Sequence, residues 1–229
     1  EDYKEVISKG VWLAKAGFGA VISACEYIPM VLGARKAGLF TTLHTGGASI
    51  PGSFPITGED LININPHVSF HINGGPVSME DEYFEIVARD TDIAMQVCTA
   101  GNLRTTLLCA EMARKHGAFG RFLIATDTPT GSGVMPLGLI YTISQIASLT
   151  SFAAPELIAA ATGNVAKCYG LNSGFLKPSY DADIVLIDAP LGGTQVEALA
   201  ALKNGDPCAI GAVMTAGVPR FVGRSNNTP

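Results

Sequence analysis

The sequence predicts an α/β protein: a parallel sheet with helices outside it, followed by a smaller β-rich part. Three observations predict this. Apolar or β-branched runs of strand length alternate with helical runs over roughly the first 170 residues. An alternation of that length gives parallel strands joined by crossover helices. Beyond that point the chain turns to β-rich runs separated by turn residues. The expected division is a sheet-and-helix region over 1–174 and a β-rich region over 175–229.

In chain order, GVWLAKAG (10–17) reads as a buried strand, and PMVLGARKAG (29–38) as a helix with Pro29 near its start and Gly38 past its end. LFTTLH (39–44) and HVSFHI (67–72) are strands. EDEYFEIVARD (80–90) is helical, and DIAMQVC (92–98) is a strand. LRTTLLCAEMARKHG (103–117) is a helix in which Leu107, Leu108 and Met112 share a face, Glu111 and Lys115 stand four apart, and Gly117 is the stop. RFLIATD (121–127) is the fifth strand. LGLIYTISQIASL (137–149) and PELIAAATGNVAKCYG (155–170) are helical, the second with a break near 162–164. YDADIVLIDAP (180–190) and CAIGAVMTAGVPRFVGR (208–224) supply the later strands. Five parallel strands are too few to close an eight-stranded barrel.

Composition excludes several classes. With 48% hydrophobic and 15% charged residues the chain carries a large core. A net charge of -5 without a basic block argues against a nucleic-acid or anionic-membrane surface. No apolar run approaches the roughly 18–20 residues needed to span a bilayer. The cysteines at 25, 98, 109, 168 and 208 are odd in number and scattered, with no CxxC pair, which points to a reducing cytoplasm.

Sites in parallel α/β folds lie at the carboxyl ends of strands. The polar residues there are Lys15, His44, His71 and Asp127. His44 and His71 each end a strand-like run and are followed by glycines, in HTGG and HINGG. Neutral imidazoles with a carboxylate suit zinc or iron. Asp127 is placed both to bind such a metal and to take a proton from an activated water. Lys15 as an ammonium would repel a cation; carboxylated by CO2 it would become an anionic, bridging carbamate. His67 starts its strand, the wrong end for this site, and His116 ends a helix, where a cation suits the dipole; neither is assigned as a ligand. PTGSG (129–133) lacks the lysine and spacing of a phosphate-binding loop.

The order Lys, His, His, Asp on successive strand ends, with the tail GFLKPSYDADIVLID, resembles the amidohydrolase superfamily. Within it, HTGGASIPGS, HINGGP, ATGNVAKCYGLNSG, DAPLGG and RSNNTP are most similar to members that open cyclic enamides. The resemblance implies the C-terminal part of a (β/α)8 TIM barrel with part of a small β-sandwich. It aligns His44 and His71 with the ligands after barrel strands five and six, Asp127 with the aspartate after strand eight, and Lys15 with the bridging ligand after strand four. Lys15 departs from the glutamate of the most similar members. The family's first-strand His-x-His pair is absent, and the chain begins at Glu1, so it is expected to be part of a longer protein.

The implied activity is hydrolysis of the C–N bond of a cyclic amide by a water activated at a binuclear divalent centre of zinc or iron, with a lysine carbamate as bridge. Asn73 is expected to touch the substrate. The implied partner is a small cyclic amide, and the implied assembly a homo-oligomer. A deaminase or other ring hydrolase on the same scaffold, or an inert chain lacking the first-strand histidines, are the alternatives.

Overall fold

A computed structural model describes residues 2–17, 22–48, 50–74, 77–130 and 133–223. Gly75, Gly131, Ser132 and the RSNNTP tail, parts of the motifs above, lie outside them. The chain forms two units: Glu1–Phe122 with Asp127–Ser132, and Leu123–Thr126 with Gly133–Pro229.

The first unit contains strands β1 (Leu13–Ala16), β2 (Phe40–His44), β3 (Val68–Phe70) and β4 (Ala94–Cys98). Helices α1 (Asp2–Ser8), α2 (Ala24–Lys36), α3 (Gly58–Ile64), α4 (Asp81–Asp90) and α5 (Leu103–Lys115) stand between them in sequence. With β5 (Phe122–Ala125) the sheet runs in chain order, β1-β2-β3-β4-β5. The pairs β1/β2, β2/β3 and β3/β4 are parallel, as expected. Lys15 pairs with Thr42, Thr42 with Val68, and His44 with Phe70. Residues paired in register point to the same face, and so do residues two apart on one strand. Lys15, Thr42, His44, Val68 and Phe70 therefore share one side of the sheet.

The strands read as apolar because they are covered. Leu43, Val68, Met95 and Val97 are fully buried, as are Leu61, Ile64, Phe84, Val87 and Cys109 on the helices. At about 25 cal/mol per Å² of apolar surface, each such side chain contributes about 1.5–3 kcal/mol.

Several expectations change in this unit, the first being the burial of β1, whose residues are half-buried or exposed. Helix α2 starts at Ala24, so Pro29 lies inside it; Ser23 is the cap, with its amide and hydroxyl both donating to Glu26 Oε2 at 2.8 Å. The buried face of α5 is Thr105, Thr106, Cys109, Ala110 and Ala113, while Leu107, Leu108 and Met112 are half-buried. Lys115 pairs with Glu85 on α4 at 2.7 Å. Helix α3 was missed: Thr57 Oγ1 accepts from the Asp60 amide at 3.1 Å and the Thr57 amide donates to Asp60 Oδ2 at 3.0 Å, a reciprocal cap.

The second unit holds helices α6 (Gly138–Leu149), α7 (Ala154–Ala161), α8 (Gly163–Tyr169) and α9 (Ala198–Asn204). The break between α7 and α8 falls at Thr162, where the sequence places it. Lys203 on α9 donates to the carbonyls of Ala147, Thr150 and Phe152 at 2.6, 2.7 and 3.1 Å, satisfying acceptors at and just past the end of α6. Strands β6 (Ile184–Asp188), β7 (Ala209–Thr215) and β8 (Val218–Val222) form an antiparallel sheet in that order. This is the β-rich tail expected. Among the described residues, no helix is long and apolar enough to cross a membrane.

Candidate functional site

His44 is the last residue of β2, and His71 is the first residue past β3 rather than part of it. Both are buried, at 6% and 5% exposure. The sheet brings them together: His44 Nδ1 and His71 Nε2 are 3.1 Å apart, and the rings meet edge to face with centroids 4.6 Å apart.

The second nitrogen of His44 fixes which atom carries each proton. Nε2 of His44 lies 3.0 Å from the carbonyl oxygen of Gly47. A carbonyl only accepts, so Nε2 is the protonated nitrogen and Nδ1 of the neutral ring holds a lone pair. His71 Nε2–H therefore donates to His44 Nδ1, and His71 Nδ1 is left with a lone pair. That atom is buried and has no hydrogen-bond partner among the described residues.

Both rings are held neutral. Burial lowers the pKa of His44, opposed by its bond to Gly47, while the positive charge of Lys15 lowers it further. Burial, then the proximity of His44, pushes His71 down to about 4. The negative charge of Asp127 acts on both in the opposite sense. All four residues that the sequence singles out thus influence one point of the first unit.

Lys15 is the third residue of β1, and its ammonium lies 5.3 Å from the centre of the Phe70 ring. Phe70 is on β3, so the lysine reaches across β2 to it. Between them Thr42 is fully buried, and its hydroxyl has no hydrogen-bond partner among the described residues. Asp127 is exposed and has φ 55°. His71 has φ 37°. Two of the four predicted site residues therefore occupy the left-handed region, which costs about 1–2 kcal/mol for a residue with a Cβ. Strain of this kind collects at functional sites.

Asn73 sits elsewhere than expected. It is 0% exposed, and its amide bonds within the fold rather than facing a substrate. His67 and His116 are also outside the site, as read from sequence. His67 Nδ1 accepts from the Thr41 amide at 2.9 Å and its ring stacks on Phe40; His116 caps α5 and meets Glu85 at 2.9 Å.

Sequence reasoning passed over two groups. One is the carbonyl of Gly47, which no side-chain motif displays. The other is Cys98, at the end of β4 where no ligand was expected. Its thiol is pushed up to about 12 by burial and then by the charge of Asp127, and so remains protonated. Its apolar neighbours in AMQVC hide it as a core residue.

The pair fits a divalent cation on two grounds. A ligating histidine usually donates its other N–H to a carbonyl, as His44 does to Gly47. Both rings are also buried where neither easily becomes charged, and His71 Nδ1 holds a lone pair without a partner among the described residues. Among the described residues, no three of His, Cys, Asp and Glu are grouped to hold one metal ion.

Residues 67–219 match the model of the amidohydrolase family. Enamidase from Eubacterium barkeri is 36% identical over 230 residues, a match covering 100% of this chain and 59% of that protein. The 1.9 Å crystal structure of an enamidase superposes with TM-score 0.91 at 36% identity, again over 100% of this chain and 59% of that one. A β-aspartyl dipeptidase from Fervidobacterium islandicum, at 17% identity and TM-score 0.63, covers 95% of this chain and 59% of its own and shares the fold. A 5-methylthioadenosine/S-adenosylhomocysteine deaminase from Archaeoglobus fulgidus is 33% identical over 124 residues, 49% of this chain and 28% of that protein. The parallel sheet is therefore part of the TIM-barrel fold of enamidase, and the chain belongs to the amidohydrolase family.

Proposed function

We propose that this chain supplies part of the active site of a metal-dependent hydrolase that opens the C–N bond of a cyclic amide or enamide. The observation that carries the reading is the His44–His71 pair: two buried neutral imidazoles 3.1 Å apart, with His44 oriented by the Gly47 carbonyl. The similarity to enamidase supports the substrate class.

His44 and His71 would hold the metal, zinc or iron. A divalent cation there supplies Lewis acidity, polarising the scissile carbonyl and making a water acidic enough to attack near neutral pH. His44 keeps one nitrogen on Gly47 and so presents the other in a fixed direction. Asp127, at the rim, accepts the proton of the attacking water and returns it to the leaving ring nitrogen. Lys15 would complete the site as a carbamate: the lone pair of its neutral amine forms an N–C bond to CO2, one C=O π bond opens to place the charge on oxygen, and the nitrogen's proton passes to water. The product is a carboxylate-like anion on the side of the sheet that carries His44. The phenyl ring of Phe70 forms the floor beneath it. The same reading places the protein in a reducing cytoplasm, as a homo-oligomer, consistent with its free cysteines at 25, 98, 109, 168 and 208.

A second reading, deamination of a purine-like ring, draws on the similarity to the Archaeoglobus deaminase. The two differ in product. The full-length enzyme is assayed with cyclic amides and with aminopurine nucleosides. Ring opening without ammonia supports the first reading; ammonia release with the ring intact replaces it with the second.

A further inference from the structure

His71 opens a tight turn. Its carbonyl accepts from the Gly74 amide at 2.6 Å, and the next amide, Ile72 N–H, donates to the Gln96 carbonyl of β4 at 2.8 Å. The left-handed backbone of His71 is not one that histidine adopts by preference, so its surroundings must impose it.

Asn73 does so. Its Oδ1 accepts from the Cys98 amide at 2.9 Å, and its Nδ2 donates to the Cys98 carbonyl at 2.9 Å and to Thr106 Oγ1 at 2.7 Å. The side chain thus pairs with both main-chain groups of the residue that ends β4, as another strand would. Its own carbonyl accepts from the Asn102 amide at 3.1 Å and from Thr105 Oγ1 at 3.3 Å, which ties the turn to the start of α5. The approach is so close that a Cβ on Gly101 would stand 2.1 Å from Nδ2. One planar group with one acceptor and two donors is required at this length of side chain. Aspartate lacks the donors, leucine lacks everything polar, and glutamine is one carbon too long.

We infer that Asn73 is the positioning residue of the candidate metal centre: its amide locks the His71–Gly74 turn onto the end of β4 and the start of α5, and so aims the His71 ring at His44. The inference rests on the reading of these histidines as metal ligands. It replaces a substrate contact with a role two residues removed from the chemistry.

The test uses the full-length protein stripped of metal, as wild type, Asn73→Ala, Asn73→Asp and Thr106→Val. Zinc ion alone is the probe, titrated against a chromophoric chelator. Imidazole 15N spectra of the metal-free protein read the His44–His71 hydrogen bond, and circular dichroism checks the fold. Asn73→Ala should lower zinc affinity about 10–100-fold, the range for losing a group that orients a ligand. It should also abolish the spectral signature of the His71-to-His44 bond. Asn73→Asp, which keeps only the acceptor for the Cys98 amide, should fall between. A folded Asn73→Ala with zinc affinity within twofold of wild type and an unchanged spectrum overturns the inference. If the wild type takes up no zinc, the metal reading fails by itself, and the imidazole spectra alone decide the positioning role. If Asn73→Ala does not fold, Thr106→Val, which removes one partner of the amide, is read by the same two measurements and the same criteria.

Discussion

Nδ1 of His44 accepts a hydrogen bond from Nε2 of His71 at 3.1 Å, and the direction of that bond is set by the Gly47 carbonyl on the far side of the His44 ring. The pair is therefore poised with one shared proton and with both rings neutral. Transfer of that proton to the lone pair on His71 Nδ1 would keep the ring neutral and leave His44 Nδ1 and His71 Nε2 both unprotonated, 3.1 Å apart.

Replacing either ring should break that pair. His44→Ala or His71→Ala in the full-length protein is expected to lower metal content and kcat/KM together, by at least about 100-fold, the upper end for losing an outer-shell partner alone. Elemental analysis beside steady-state kinetics checks this. Wild-type turnover in a variant with no detectable metal would refute the metal reading.

The same residues make stability depend on pH. His44, His67 and His71 all have folded pKa values below the ordinary 6.5, through burial first in each case. Below pH 6.5 the unfolded chain binds protons that the folded chain declines, so stability falls as pH falls. For His71 the loss continues to its folded value of about 4. The paired carboxylates Glu26, Asp81, Glu85 and Asp90 act in the same direction but only from their ordinary values of 4.5 and 3.8 downward. The urea midpoint of the metal-free protein should therefore drop between pH 7 and pH 5, before those carboxylates titrate. A midpoint that rises on acidification through this window would contradict the assignment.

Lys15 offers a chemical rescue. In the full-length enzyme Lys15→Ala is expected to lose activity and to regain part of it with acetate or propionate, small carboxylates that can occupy the place of a carbamate. Full activity in the unrescued variant would leave Lys15 as the cation over Phe70 and nothing more.

In the second unit, Lys203→Met keeps the aliphatic stem but removes the donor to Ala147, Thr150 and Phe152. Because the lysine is largely exposed, water replaces part of what is lost, and a destabilisation of about 1 kcal/mol is expected in denaturant titration. A change below a few tenths of a kcal/mol would show that the three carbonyls are satisfied without it.

Gly101→Ala should be costlier, about 1–3 kcal/mol, because the new methyl meets Asn73 in a packed site where neither backbone can retreat. Thermal unfolding against wild type measures it; an unchanged midpoint would mean that the Asn73 side chain can move aside.

The strands were legible because burial leaves near-continuous apolar runs, and the buried histidine pair was legible because polar residues stand out at the ends of such runs. His44 and His71 show this. What the sequence hid was of two kinds. Short helices such as α3 carry too few turns for a periodic signal, and only the pair Thr57 and Asp60 marks its start. The buried side of α5 was not legible because Thr105 and Thr106, polar by composition, form it, while the larger Leu107 and Leu108 are only partly covered. Asn73 was placed near the chemistry by its motif, but its direction is a property of the tertiary fold, since among the described residues every partner of its amide lies at least 25 positions away.

The Gly47 carbonyl that orients His44 is main chain, and every amino acid carries the same carbonyl. No side-chain replacement at that position deletes it, and an alanine scan would score the position only for the crowding of a new methyl, 2.8 Å from Val77 Cβ. The loop is pinned in turn by the Gly47 amide donating to the Val77 carbonyl at 3.0 Å. Mutational maps of this region will therefore under-report it, showing a blank where proton placement is decided. Only a backbone edit, such as an amide-to-ester exchange that weakens the carbonyl as an acceptor, would make the position visible.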